Sequence, residues 1–345
     1  MSELLKSSGY KTIYVAAPAG APSGGPELAQ QLVHVLRTLG ANAQIYYYHR
    51  EPGVDPVYKD FRVYNNPCAD NIVDSPENLL VVPETKTNLL SDYLFIKKSI
   101  WWMSIDFYYT VLGFSVADHK ALANPIRRFV KLLGKSKKLQ RHFFFGRKGV
   151  NDIFHLVQSQ YAREHLLSKN IPDKQIGYLS DYLNADFIRD SAAAADREKR
   201  DIVVYNPKKG LFYTRELMSL MPDVEFIAIE NMSRIEVVEL LQTAKLYIDF
   251  GEHPGKDRIP REACISGACI ITGKNGSAKY AEDVPIPEEF KFERVSSELP
   301  RVVEKVRHCL NDYNTLRECF EAYRTMIRGE QERFREDAKR LLECI

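Results

Sequence analysis

The sequence has no excess of either charge: 48 Lys and Arg face 46 Asp and Glu, for a net charge of +2. That balance leaves no electrostatic footprint for bulk nucleic-acid binding, which needs a surplus of basic groups, although local basic patches stay possible. Cysteine is scarce. Cys68, Cys264, Cys269, Cys309, Cys319 and Cys344 include no CxxC pair, and no histidines gather at zinc-ligand spacing, so no metal site is expected. A chain this long needs no disulfide staples. Met1 to Lys11 is polar and lacks the apolar core of a secretory leader. No uncharged apolar run reaches the ~20 residues that span a bilayer. Low-complexity tracts and short-period repeats are missing as well. These absences lead us to expect a reduced, cytoplasmic protein.

What is present is ordinary globular material. Hydrophobic residues make up 45% and charged residues 27% of 345 positions, which excludes global disorder. At ~150 residues per domain the length implies about two domains.

The pattern along the chain is strand, loop, helix, repeated. Ile13 to Ala17 is an apolar run, followed by a loop rich in Pro, Gly and Ala from Pro18 to Pro26. Leu28, Leu32, Val35, Leu36 and Leu39 then recur at helical spacing, and Gly40 closes that helix. Gln44 to Tyr48 reads as the next strand. Leu79 to Val82, the aromatic run Ser99 to Ile105, Ile153 to Val157 and Ile176 to Leu179 read as further strands, with a helix over Tyr161 to Lys169. Ser191 to Arg200, four alanines and then charges, reads as a linker or short exposed helix.

The theme then restarts. Ile202 to Tyr205 is a strand, Asn206 to Gly210 a loop, and Thr214 to Leu220 a helix. Strands over Val224–Ile229, Leu246–Phe250 and Cys269–Thr272 follow. Helices are expected over Ser233–Thr243, with Ile235, Val238 and Leu241 on one face, and over Arg261–Ser266. Two more end the chain, about Glu298–Leu310 and Tyr313–Leu342. The expected fold is α/β, two tandem Rossmann-like domains with a C-terminal helical tail: residues 1–190, a linker at 191–200, a second domain at 201–312, and a helix at 313–345 packing back on the first domain. In open parallel sheets ligands bind beyond the carboxyl ends of strands, so a cleft between two such sheets is the expected site.

Several segments there carry candidate chemistry. Gly24, Gly25 and Glu27 lie in a strand-to-helix loop where backbone amides can approach an anion, or in a plain tight turn. The loop is not GxGxxG, so the usual dinucleotide fingerprint is missing. Lys208 and Lys209 beside Gly210 suit a diphosphate, or are a solvated turn. Gly251 to Ala263 is the densest charged connector, and Pro260 fits a first helical turn. Glu262 is placed to take two ribose hydroxyls, while Lys256 and Arg258 face phosphates; the plainer reading is an exposed charged loop. Asp106, after the aromatic strand, is a general base for an acceptor hydroxyl, or a helix-capping Asp. Glu230 and Asn231 read a base or sugar, or Asn231 or Ser233 caps a helix. The basic stretch 127–141 suits an anionic membrane surface, or is a solvated helix face. Tyr46–Tyr48 and Phe143–Phe145 read as core strands rather than stacking platforms.

Taken together, the tandem halves and the segment Ser233 to Gly267 resemble glycosyltransferases of the GT-B fold, of the type whose donor domain ends in "EA…G…I". Glu262-Ala263, Gly267 and Ile270-Ile271 match that ending, within "YIDFGEHPG" and "REACISGACIITG". The opening "PAGAPSGGPELAQQLVHVLRTLG" is similar to the family's first loop and helix. The resemblance implies that Glu262 binds the donor ribose, that Lys208 or Lys209 meets the diphosphate, and that Gly24 and Gly25 line the cleft. It implies a nucleotide-sugar donor, a saccharide or lipid-linked acceptor, and no resident metal. One departure stands out: many retaining members carry a second glutamate eight residues before the first, and here that position is Pro254. Glu252 or His253 is then the substitute, and the stereochemical outcome stays open. A sugar-nucleotide epimerase of the same fold and a non-catalytic nucleotide-sugar binder are the alternatives.

Overall fold

The computed structural model describes residues 9–114, 130, 135–145, 152–193 and 197–344. Two compact units divide them. The first takes the chain up to Gln158, Ala162–Ser180 and everything from Arg333 on, and the second takes Ser159–Tyr161 and Asp181–Glu332.

The first unit is built on a parallel sheet of seven strands in the order β3-β2-β1-β4-β5-β6-β7. These are β1 Thr12–Pro18, β2 Ala43–Tyr48, β3 Cys68–Ala69, β4 Asn78–Pro83, β5 Lys97–Trp102, β6 Ile153–Val157 and β7 Ile176–Tyr178. Helices α1 Gly24–Thr38, α2 Ile105–Val111, α3 Ser136–Arg141 and α4 Gln160–Ser168 connect them. β4 lies between β1 and β5, and every one of its residues is buried, so its sequence, NLLVVP, is an unbroken apolar run after the first Asn. β2, nearer the edge, alternates buried and half-buried residues.

In the second unit five parallel strands run in the order β12-β11-β10-β8-β9. They are β8 Arg200–Tyr205, β9 Glu225–Ala228, β10 Ala244–Asp249, β11 Cys269–Gly273 and β12 Lys291–Phe292. Around them lie α5 Ala185–Ala193, α6 Leu211–Ser219, α7 Arg234–Thr243, α8 Arg258–Ile265, α9 Leu299–Asn311, α10 Tyr313–Leu316 and α11 Glu321–Arg328. The last helix, α12 Glu330–Cys344, begins in this unit and continues into the first. Both sheets have the expected α/β, Rossmann-like topology, and a C-terminal helical region follows.

Several local expectations are corrected. The aromatic strand ends at Trp102, because Ser104 caps α2 by accepting the Phe107 amide at 3.2 Å. Phe143–Phe145 are buried but form no strand; the rings of Phe143 and Phe145 pack on Trp102 instead, Phe145 stacked at 5.6 Å and Phe143 edge-on at 5.9 Å. The alanine-rich segment opens as helix, one of its two expected readings, but Ser191 in it is buried rather than exposed. The chain enters the second unit at Asp181, and Phe187 of α5 joins that unit's core. The expected helix over Tyr313–Leu342 is broken at a 3-10 turn, Arg317–Phe320, and again at Gly329. Tyr313, Phe320, Tyr323 and Ile327 pack into the second unit's core, and Phe334 in α12 packs against Trp101 of the first unit at 6.3 Å. Ile235, expected on the packed face of α7, is exposed. The basic stretch 127–141 lies outside the described residues except for Val130 and 135–141. Among the described residues no helix is long and apolar enough to cross a membrane.

Topology fixes where loops converge. The strand order reverses beside β1 and β4 in the first unit and beside β8 and β10 in the second. At such switch points neighbouring loops leave in opposite directions and open a crevice at the carboxyl ends. In the second unit the two loops touch. Gly210, at φ +60°, is packed so closely that a Cβ would collide with the carbonyl of Phe250. Gly210→Ala combines a left-handed backbone with that clash, and it should cost roughly 2–4 kcal/mol. Urea unfolding at neutral pH checks this; an unchanged midpoint would show that the loops do not constrain each other.

Candidate functional site

The second unit's switch point is lined by residues 206–210 after β8 and 250–257 after β10. Lys208 is exposed, and its amide donates to Asn206 Oδ1 at 3.0 Å. Lys209 turns the other way, with its Nζ 2.6 Å from Asp257 Oδ1. Asp249 ends β10 and accepts from Gly251 N at 2.8 Å and Tyr247 OH at 3.0 Å. His253 is inserted behind it, 1% exposed, with Nδ1 3.0 Å from Asp257 Oδ2 and Nε2 3.5 Å from Asp249 Oδ1. Burial alone would lower the imidazole pKa, but the two carboxylates outweigh it and raise it. The Asp257 carboxyl is likewise disfavoured as an anion by burial, yet His253 and Lys209 hold it down at about 2. Gly276, at φ +54°, lets the next loop close over the carbonyls of Glu252 and His253. His253, expected as a catalytic group, is therefore a buried brace between two carboxylates.

Asp249, His253 and Asp257 are also the group whose ligand atoms lie within 4.8 Å of one another, as a metal site would require. Here those atoms are engaged with each other, with Lys209, with Tyr247 and with the Gly251 amide.

One turn further, α8 carries the strongest ionic cluster of this unit. Arg261, 1% exposed, donates to Asp181 Oδ2 at 2.5 Å and Glu330 Oε2 at 2.8 Å. Lys256, expected on a phosphate, belongs to the same cluster: its Nζ is 2.9 Å from Glu330 Oε1 and 3.7 Å from Asp181 Oδ1. The loop's charge is turned inward because two buried carboxylates from distant segments need cations. Arg258, the first residue of α8, is half-buried.

Glu262 follows Arg261 and is buried, with its Oε1 3.6 Å from Arg234 NH2. Arg234 opens α7 behind a capping box in which Ser233 and Glu236 exchange hydrogen bonds. The structure thus brings the 230–234 connector to Glu262. Glu230 is exposed there, and Asn231 is exposed at φ 55°. Of the two caps expected from the sequence, Ser233 is the one used. Arg234 was not singled out in the sequence, although the capping motif in front of it marks a helix start.

At the first unit's switch point α1 begins at Gly24, so the glycine loop is shorter than expected. A Cβ on Gly24 would meet nothing within 4 Å, and one on Gly25 would reach only Met103, at 3.7 Å. Glu27 sits in the first turn and accepts from Tyr64 OH at 3.4 Å. Asp106 is in the first turn of α2 and is 8% exposed; its position is helical and buried rather than at an open strand end. The neighbouring group is one that sequence reading missed. Glu84 follows β4 directly, is buried, and accepts the Met103 amide at 3.1 Å. Burial pushes its carboxyl from 4.5 up to about 8, against the pull of the Met103 and Ser104 amides. A neutral acid thus sits between β4 and the start of α2.

The fold has counterparts among solved structures. A glycosyltransferase from Rickettsia africae matches over 97% of this chain and 97% of its own, at 13% identity and TM-score 0.57. HepE from Anabaena, solved in complex with UDP, matches over 97% and 100%, at 12% identity and TM-score 0.60. Sucrose-phosphate synthase from Thermosynechococcus elongatus matches over 96% and 98%, at 11% identity and TM-score 0.62. The fold is that of the GT-B glycosyltransferases. By sequence, no protein-family model and no curated protein matches the chain. At these identities the likeness is one of GT-B architecture, carried by both sheets and nearly the whole length.

Two predictions follow from the charges. Arg261→Met strands Asp181 and Glu330 in the interior, and stability should fall by about 3–5 kcal/mol. Adding Asp181→Asn should recover part of that loss in urea unfolding, because one stranded charge is gone. Glu84 gives a pH signature. Its folded-state pKa of about 8 lies above the ordinary 4.5, so the folded state holds the proton longer. Its contribution is present at low pH and drains away as pH rises from about 4.5 to about 8, on the order of a few kcal/mol. In Glu84→Gln that slope should vanish from the urea midpoint plotted against pH. An identical slope in the variant would assign it to another group.

Proposed function

We propose that this chain is a glycosyltransferase that moves a sugar from a nucleoside-diphosphate sugar, of the uridine type, to a saccharide acceptor, either a glycan or a lipid-linked saccharide in surface polysaccharide synthesis. The observation that carries the reading is the matching of nearly the whole chain to GT-B transferases, one of them, HepE, solved in complex with UDP-glucose. The donor belongs to the second unit. Glu262, steadied by Arg234, takes the ribose hydroxyls, and the 230–231 connector reads the base. Lys208 and Lys209 meet the charge that develops on the departing diphosphate, and the proposal calls for no bound metal. Lys209 reaches an incoming phosphate by sharing itself with Asp257, whereas Lys208 has its ammonium in solvent. Lys256 is left out, since its charge is spent on Glu330.

The acceptor belongs to the first unit, with the backbone at Gly24 and Gly25 and the carboxyl of Asp106 as the groups proposed to meet it. In this reading Asp106 takes the acceptor proton. The proposal keeps a cytoplasmic location, with the 127–141 stretch as the contact with a membrane's inner face. The matched transferases give no support to an epimerase reading.

A thermal-shift panel of nucleoside diphosphates and nucleotide sugars tests it. A ligand at ~100 times its Kd should stabilise the protein by about 2.7 kcal/mol. Glu262→Ala should weaken uridine-nucleotide binding roughly tenfold or more, the size of a lost charge-assisted contact. Asp106→Ala should depress turnover and leave donor affinity intact. No shift with any nucleotide would sink the proposal, and unchanged turnover in Asp106→Ala would remove that residue from it.

A further inference from the structure

A second concentration of charge lies at the other edge of the second unit's sheet, at the amino ends of its strands. Arg197 and Lys199 precede β8, Lys245 is in β10, and Arg317 follows α10; with Tyr313 and Asn314 they line a cavity of about 440 Å³. Glu198 is the one carboxylate in the lining. Two of the cations have carboxylate neighbours outside it: Lys245 pairs with Asp201, and Arg317 Nε is 3.6 Å from Glu318, too far for a hydrogen bond. That Nε is buried and has no hydrogen-bond partner among the described residues. Lys199 donates to the Ser266 carbonyl at 2.6 Å, and Tyr313 OH donates to the Gly267 carbonyl at 2.7 Å, so both carbonyls behind α8 already have donors.

We propose that this cavity binds a small phosphate-bearing anion through Arg197, Lys199 and Arg317. The cavity is of a size for a small ligand rather than a lone ion. A guanidinium fork grips a phosphate in two parallel hydrogen bonds, and the lysine adds a compact positive charge. The site is independent of the donor residues, which occupy the carboxyl ends of the same strands.

The electrostatics of Lys199 supply a signature. Burial, and then the nearness of Arg317, draw its amine down to about 8, against a smaller upward push from Cys269. The other charged groups around it are Arg197, Glu198, Lys245 and its partner Asp201. An anion favours the protonated amine, so binding near pH 8 must take up protons.

Calorimetric titration of the intact protein with inorganic pyrophosphate at pH 8, in two buffers of different ionisation heat, tests this. The wild type should bind at a saturable site with proton uptake. Arg197→Gln, an exposed position that should not disturb folding, and Arg317→Gln should each weaken binding roughly tenfold. Lys209→Gln should leave this binding unchanged, and Lys199→Met should abolish the proton uptake. The proposal is overturned by the absence of pyrophosphate binding, by equal binding of citrate, by proton uptake persisting in Lys199→Met, or by a loss that tracks Lys209 rather than Arg197 and Arg317.

Discussion

One guanidinium holds the second unit together where it matters. Asp181 is the residue at which the chain enters that unit, and Glu330 lies just before it leaves. Both carboxylates are buried, and both end on Arg261. A buried carboxylate is tolerable only when paired and hydrogen-bonded, so the two chain passages have one low-energy position, on α8. The next residue on that helix is Glu262. Whatever Glu262 and Arg234 present to a ligand is thereby referred to a rigid ionic cluster rather than to a free loop, and Lys256 adds the second cation that Glu330 needs.

The same economy of charge explains the loop after β10. Its glycines are steric: Gly251 carries no Cβ because Lys209 and the Asp249 carboxylate occupy that space, and Gly276 gives way to two carbonyls. His253 then bridges Asp249 and Asp257, and Asp257 holds Lys209. The chain of contacts runs from β10 through the loop to the connector after β8. The two loops of the switch point are thereby cross-linked to one another.

Much of the fold was legible in the sequence, because it is written in local patterns. β4 reads as a continuous apolar run, since a central parallel strand is covered on both faces, and Gly40 and Gly210 mark turns with positive φ. Strand β6 falls at Ile153–Val157 as its pattern says. The direction of charge was not legible. Thirteen residues with six charges look like a ligand-facing loop, but Arg261 finds its partners 80 and 69 positions away, and no local pattern encodes such a distance. Phe143–Phe145 misled for a related reason. Three apolar residues in a row have the composition of a strand, but here Phe143 and Phe145 pack on Trp102, whose indole donates to His155 at 2.9 Å. Glu84 gave no signal at all, because burial of a carboxyl is a property of the packed switch point and not of the sequence ETK.

The two units solve one electrostatic problem in opposite ways. The second surrounds its buried carboxylates with Arg261, Lys256, His253 and Lys209. The first has Glu84 buried beside backbone amides, and burial wins, so the carboxyl is held neutral up to about pH 8. A neutral acid donates a hydrogen bond where an ionised one only accepts, so below about pH 8 the Glu84 carboxyl can give a hydrogen bond as well as take the one from the Met103 amide.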